Sequence, residues 1–335
     1  MYLPEIFQRL QSSRSRHAFI AEPLLSGDAV YLGVDPTGRP ALFVVATEGP
    51  VGPSMRTSQV SLRPAERYVL TLPDGSQRRE SFHAIMCDEV EGADVRTFLV
   101  LLEAFLSGRE GTAIPGYSEF LEFFRSMIRL FALRPAPNLR ETRQGLWGEL
   151  FMMSRVRGFR FWAPSWHNPL TQLFDFTVPG KHVEVKTTMS SGRVHGFSHR
   201  QIFALGNEQI MVASLILTEN ETGLSLGDLI SECRTALGGT YHYLKLEAAT
   251  RRAGMETGAE KGPCFDIDLA QASLCWYRST DLPQFRTPEP LGVSETSYRV
   301  DVSLATPLEQ SELDTWLDDW SRGILPEVVH AEALI

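Results

Sequence analysis

Asp175, Glu184 and Lys186 fall within one short stretch, 173-LFDFTVPGKHVEVKTTMSSG-192. Two carboxylates and a lysine make a chemically directed group. A hard divalent cation such as Mg2+ takes carboxylate oxygens, keeps several waters and binds substrate phosphate. An ion held by Asp175 and Glu184 could acidify a bound water and screen the charge of a phosphodiester. Lys186 could orient that water or stabilise developing negative charge as a point cation. The plainer alternative is an exposed hairpin with a cross-strand Asp–Lys or Glu–Lys pair, worth at most ~1 kcal/mol. Glu-x-Lys alone is common, and does not decide between them.

A second carboxylate source lies upstream. In 141-ETRQGLWGELFMMSRVRGF-159, Leu146, Glu149, Met153 and Val156 share one helical stripe, which places Glu149 on an apolar face. A buried carboxylate needs a cation, a metal or hydrogen-bond donors. An arginine such as Arg155 or Arg157 is the structural alternative. Gly145 and Gly148 lower helix propensity and suggest a close approach of the backbone to a neighbour.

Downstream, 190-SSGRVHGFSHRQ-201 reads as a polar loop carrying Arg193, His195, Ser198, His199, Arg200 and Gln201. Arginine, serine and main-chain N–H groups bind phosphate, so this segment is the candidate strand-holding surface. His195 and His199 have the spacing of a metal pair, but no third ligand is placed with them. His167 reads as a packed or capping residue. No dinucleotide fingerprint, Walker A sequence, nucleophile elbow or HExxH is present.

The elements that must position these groups can be read in outline. Phe174 to Val178 and His182 to Thr187 are strand-like and joined by Pro-Gly-Lys, so an antiparallel hairpin puts Asp175 opposite Glu184 to Lys186. A helix is expected from Arg140 to about Gly158, and a buried strand in EQIMVASLILTE. SLGDLISECRTAL reads as a helix with Ser225 at its N-cap and Asp228 three positions on. ASLCWYRS and TSYRVDVSL read as strands, and LEQSELDTWLDDWSRGI as an acidic helix. Residues 1–95 form a β-rich domain after a short helix, with hairpins at DPTGRP and PDGS. Two amphipathic helices make a connector over 96–138, and 139–335 is the second domain. The expected fold class is therefore mixed α/β (α+β).

At 335 residues the chain can build two cores. Its apolar runs are too short for a membrane span, and the start has no signal-peptide pattern, so a cytoplasmic location is expected. Four scattered cysteines suggest reduced thiols and neither zinc nor disulfides. A formal charge of −9 argues against a protein coated in nucleic acid, yet residues 139–200 hold nine Lys/Arg against four acids. The one basic region surrounds the Asp175–Lys186 stretch.

A helix Glu, then Asp, then Glu-x-Lys, carried here by GLWGEL, FDF and VEVK, resembles the PD-(D/E)XK nuclease superfamily. The resemblance covers about residues 140–280, and the chain looks most like the PD-(D/E)XK-motif proteins of bacterial restriction and phage-defence gene clusters. The family pattern has Pro before Asp; Phe174 stands there in this chain, a departure many members share. The resemblance implies a restriction-endonuclease-like mixed sheet flanked by helices. It implies Mg2+, with Mn2+ as a substitute, held by Asp175, Glu184 and the Val185 carbonyl. Lys186 would be the catalytic lysine, Glu149 would serve a second metal or orient water, and Gln201 would match a glutamine that many relatives carry after the lysine. The implied activity is Mg2+-dependent hydrolysis of DNA. A catalytically silent subunit docking partner proteins or DNA of a defence complex is the alternative, supported by the acidic C-terminal helix and the β-rich front domain. RNA as substrate and the oligomeric state, homodimer included, stay open.

Overall fold

The computed structural model describes residues 3–25, 28–47, 52–90, 92–107, 114–166, 173–240, 242–255 and 260–324. They divide into two units, residues 3–133 with 238–247, and 134–237 with 248–324. His167 lies outside the described residues.

The first unit opens with α1 (Leu3–Ser12), followed by β1 (Phe19–Pro23), β2 (Val30–Val34) and β3 (Pro40–Val45). Next come β4 (Met55–Arg56), β5 (Val60–Thr71), β6 (Gln77–Cys87), α2 (Ala93–Leu106) and α3 (Tyr117–Ala132). The strands pair in the order β1-β2-β3-β6-β5, and β5 returns to β1 in parallel, closing a five-stranded barrel with β4 on its rim. Closure removes the unpaired edges that an open sheet of this size would expose. Both expected hairpins are present: β2–β3 turns at Asp35–Arg39 and β5–β6 at Pro73–Ser76. Gly38 and Gly75 supply the positive φ those turns need, 98° and 84°. Phe43, Phe82 and Tyr31 meet edge to face inside the barrel. The helices expected as a connector over 96–138 fall largely within this unit.

In the second unit, α4 (Leu139–Arg155) and α5 (Phe159–Trp162) precede the hairpin of β7 (Phe176–Val178) and β8 (Lys181–Thr188). Then follow β9 (Val194–Ser198), α6 (His199–Ile202), β10 (Gln209–Ile216), β11 (Glu219–Ser225) and α7 (Leu226–Leu237). The chain continues through α8 (Tyr243–Arg252), where the division between units falls, to β12 (Cys264–Phe265) and α9 (Ile267–Ser273). It ends with β13 (Cys275–Arg278), β14 (Ser297–Asp301) and α10 (Gln310–Gly323). The central sheet runs β13-β10-β8-β7, with β8 parallel to β10 and antiparallel pairings at both edges. Such a buried middle strand should be apolar throughout, and β10 is buried from Ile210 to Leu215.

The chain is thus mixed α/β, with a closed barrel in its first part. One expectation is corrected. Residues 190–201 are a loop only as far as Arg193: Val194–Ser198 is a strand paired with β14, and His199–Ile202 a helical turn. Polar residues disguised it, because His195 occupies an inward slot alternating with Phe197. The expected N-cap of α7 is present, with Ser225 Oγ donating to Asp228 Oδ2 at 2.6 Å and accepting the Asp228 N–H at 3.0 Å.

α4 sits directly on β8. A Cβ on Gly148 would lie 2.3 Å from Thr187 Cγ2, so glycine is what lets the helix approach this strand. The approach is held by Gln144 Nε2 donating to Thr187 Oγ1 at 3.0 Å, while Trp147 Nε1 ties α4 to β11 by donating to the Leu224 carbonyl at 2.9 Å.

Candidate metal centre

The hairpin register pairs Phe176 with Val183, which sets Asp175 beside Glu184 across the strands. Asp175 Oδ2 accepts the Val185 N–H at 2.7 Å, stitching the carboxylate to β8 just before β7 begins. Glu184 and Lys186 share one face of β8, as strand alternation requires. The Lys186 ammonium lies 2.7 Å from Glu184 Oε1. The same oxygen accepts the Gln201 amide N–H at 2.8 Å, and that amide also donates to the Leu173 carbonyl at 3.1 Å.

Glu149 reaches the group from α4, with its Oε2 accepting the Trp166 indole N–H at 2.7 Å. Neither arginine expected for it takes it: Arg155 stands over the Phe151 ring, and Arg157 pairs with Asp314 and Asp318. Glu149, Asp175, Glu184 and Lys186 lie close enough for their charges to act on one another, and so form one electrostatic cluster.

Its electrostatics are unbalanced. Three carboxylates face one ammonium. Burial pushes the Glu149 carboxyl up to about 7, with repulsion from Glu184 adding to it while the Trp166 bond and Lys186 oppose. Burial, then the charges of Glu184 and Glu149, raise Asp175 well above the usual carboxylate range. Burial also raises Glu184 against the pull of Lys186. Glu184 Oε2 is buried and has no hydrogen-bond partner. A buried orphan oxygen among mutually repelling carboxylates is costly, and a divalent cation would relieve both. Oxygen donors alone suit Mg2+ or Mn2+. Among the described residues no group of three or more His, Cys, Asp or Glu side chains is arranged to hold a metal. The fit accordingly rests on Asp175, Glu184 and a main-chain carbonyl, with Glu149 at its side.

The residues expected to hold nucleic acid are placed differently from one another. Arg193 donates to the Ser214 carbonyl and hydroxyl at 3.0 and 2.9 Å, and to the Ser273 carbonyl. His195 is buried against Ser214 Oγ at 2.8 Å, and burial with nearby Lys186 and Arg193 lowers its pKa to about 4. His199 is buried between the Tyr298 hydroxyl and the Thr287 carbonyl. These three brace β9, β10 and β14. Ser198 is half-buried, Gln201 holds Glu184, and Arg200 alone of the six is exposed.

Two supporting residues escaped the sequence reading. Trp166 anchors Glu149, and Phe197 presents its ring 5.0 Å from the Lys186 ammonium. Period-two alternation in VHGFS was the available signal for Phe197; nothing local marks Trp166.

The local excess of basic residues is mostly spent internally. Arg143 donates to the Ala253 and Gly254 carbonyls, and Arg160 to that of Ala236. Arg157 and Lys181 pair with the acids of α10, which buries Trp316, Leu317 and Trp320.

Among the described residues no helix is long and apolar enough to cross a membrane. Over residues 4–303 the chain matches the protein family described as "Putative PD-(D/E)XK family member, (DUF4420)". No curated protein and no solved structure matches it.

Proposed function

The chain belongs to this PD-(D/E)XK family, and on that premise we propose that it is a Mg2+-dependent deoxyribonuclease hydrolysing phosphodiester bonds, serving bacterial restriction or anti-phage defence in the cytoplasm. The observation that carries the reading is the electrostatic grouping of Glu149, Asp175, Glu184 and Lys186, in which one Glu184 oxygen is buried and unpartnered. The mixed sheet of β13-β10-β8-β7 under α4 would then be the restriction-endonuclease-like core.

Asp175, Glu184 and the Val185 carbonyl would hold Mg2+ or Mn2+, with Glu149 at a second position. When bound, such an ion supplies Lewis-acid polarisation of the phosphoryl oxygens and a water acidic enough to act as nucleophile. Lys186, braced by Glu184 and Phe197, presents a fixed positive charge where negative charge develops on the phosphate. Gln201 and the Val185 N–H hold the two ligand carboxylates in orientation.

The docking-subunit reading drew on the acidity of α10. Asp314, Asp318, Asp319 and Glu312 of that helix pair with Arg157, Lys181 and Arg278, which leaves less of that charge for a partner.

The test is a nicking assay on supercoiled DNA with Mg2+, comparing wild type with Asp175→Ala and Lys186→Ala. Nicking by the wild type that drops at least about a hundredfold in both variants supports the reading. Equal activity in all three preparations overturns it.

A further inference from the structure

We propose that the cavity beside the carboxylate cluster receives one unstacked nucleobase of the DNA strand, adjacent to the phosphodiester to be cut. This deepens the nuclease reading above and rests on it. The cavity measures about 490 Å3, within the range of small-molecule sites, and lies in the second unit.

It adjoins the site through the chain itself. Phe174 on its wall precedes Asp175, and Arg200 precedes Gln201, whose amide joins Leu173 to Glu184. Two stacked ring pairs line it: Phe174 on His182, with centroids 4.3 Å apart and planes at 19°, and His199 on Phe203, at 4.8 Å and 14°. The imidazoles are pinned. His182 Nδ1 meets Thr177 Oγ1 at 3.0 Å, and His199 is held at both nitrogens by Tyr298 and Thr287. Phe174 and His199 are buried behind their partners, and His182 and Phe203 are the partly exposed rings at the cavity; a ring face of this kind stacks bases of any sequence, because every base has a π-face.

The charge around the cavity distinguishes a base from a phosphate. Glu208 and Glu289 also line it and would repel the backbone, while accepting hydrogen bonds from base amino groups. Arg200, exposed on the cavity wall next to Gln201 in the chain, is available to either the base edge or the flanking phosphate. An enzyme that takes a base into such a pocket acts on single strands or on a nucleotide turned out of its duplex.

The experiment uses the full chain with Ca2+ replacing Mg2+ and a single-stranded DNA oligonucleotide carrying one 5-iodouracil at successive positions. Irradiation should crosslink one position to His182 or Phe203, the partly exposed rings of the cavity. Leu205 also lines the cavity and is 56% exposed, so Leu205→Trp can fill the space at little cost to folding. That variant should bind the oligonucleotide at least about tenfold more weakly and cleave it correspondingly less in Mg2+. Crosslinks only to other residues, or binding by Leu205→Trp equal to wild type, would overturn the proposal while leaving the nuclease reading intact. An oligonucleotide and a supercoiled plasmid both left uncut by the wild type in Mg2+ would overturn both.

Discussion

Glu184 and Lys186 are bonded on one side only: the ammonium lies 2.7 Å from Oε1, while Oε2 is buried without a partner. The lysine shares Oε1 with the Gln201 amide, so neither donor reaches the second oxygen. Lys186 also has to offset Asp175 and Glu149. The cluster is thus short of positive charge.

The first prediction follows from that shortage. Thermal unfolding of the wild type should shift upward when Mg2+ or Mn2+ replaces a chelator. An ion at a hundredfold excess over its dissociation constant stabilises by about 2.7 kcal/mol, which is roughly 5–10 °C for a unit of this size. Glu184→Gln should lose the shift. Without metal it should be at least as stable as wild type. The sign follows from the raised carboxyl pKa: above the ordinary value of 4.5, ionisation in the folded state costs stability, and the amide is free of that cost. No metal-dependent shift in the wild type would remove the metal centre.

The hairpin that carries Asp175 and Glu184 was legible because its strands are local, alternate cleanly and turn at Pro-Gly. Glu149 was legible as a charge on an apolar stripe. What stayed hidden depends on distant pairing. β9 is completed by β14, about a hundred residues later, and His195 fills an apolar-looking slot with a polar name. Arg193 and the two histidines looked like a phosphate surface because sequence shows charge but not whether a buried carbonyl has already claimed it. Closure of the barrel by β1 on β5 is likewise a long-range pairing with no local mark.

The contact between α4 and β8 yields a second prediction. Gly148→Ala in a helix normally gains about 1 kcal/mol. Here the new methyl would sit 2.3 Å from Thr187 Cγ2, and Thr187 is held by its hydroxyl to Gln144. Overpacking costs about 1–3 kcal/mol, so the variant should lose stability in chemical denaturation and move Glu149 away from the cluster. Thr187→Ser removes the offending methyl and keeps the hydroxyl. The double variant should recover most of the loss; additive losses would show that the close approach is not the cause.

Gln201→Ala separates positioning from contact with nucleic acid. The alanine leaves the Leu173 carbonyl and Glu184 Oε1 without their shared donor, at a cost of about 1 kcal/mol in stability. Loss of a group that orients a ligand typically weakens metal binding about 10- to 100-fold. A Mn2+ titration followed by calorimetry reads this directly, in the absence of DNA. Unchanged Mn2+ affinity would take Gln201 out of the metal centre.

The barrel carries a pH dependence of the opposite sign to the cluster. Asp35 is almost fully buried in the β2–β3 turn. Burial alone would raise its carboxyl pKa, but bonds from the Thr37 hydroxyl, the Arg39 N–H and the Arg39 guanidinium outweigh it and hold the pKa below the ordinary 3.8. The N–H of Thr37 adds a further bond at 2.8 Å. A carboxyl whose folded pKa is depressed contributes stability that is fully present above 3.8 and is lost as pH falls through the lower, folded value. Asp35→Asn gives up the ionic part of these bonds at every pH. At neutral pH it should be less stable than wild type by about 1–3 kcal/mol, and the gap should narrow as the pH falls below 3.8. Urea unfolding of both proteins from pH 7 downward measures the gap. A difference that stays constant, or widens, as the solution is acidified would mean that the Asp35 carboxylate does not organise the turn.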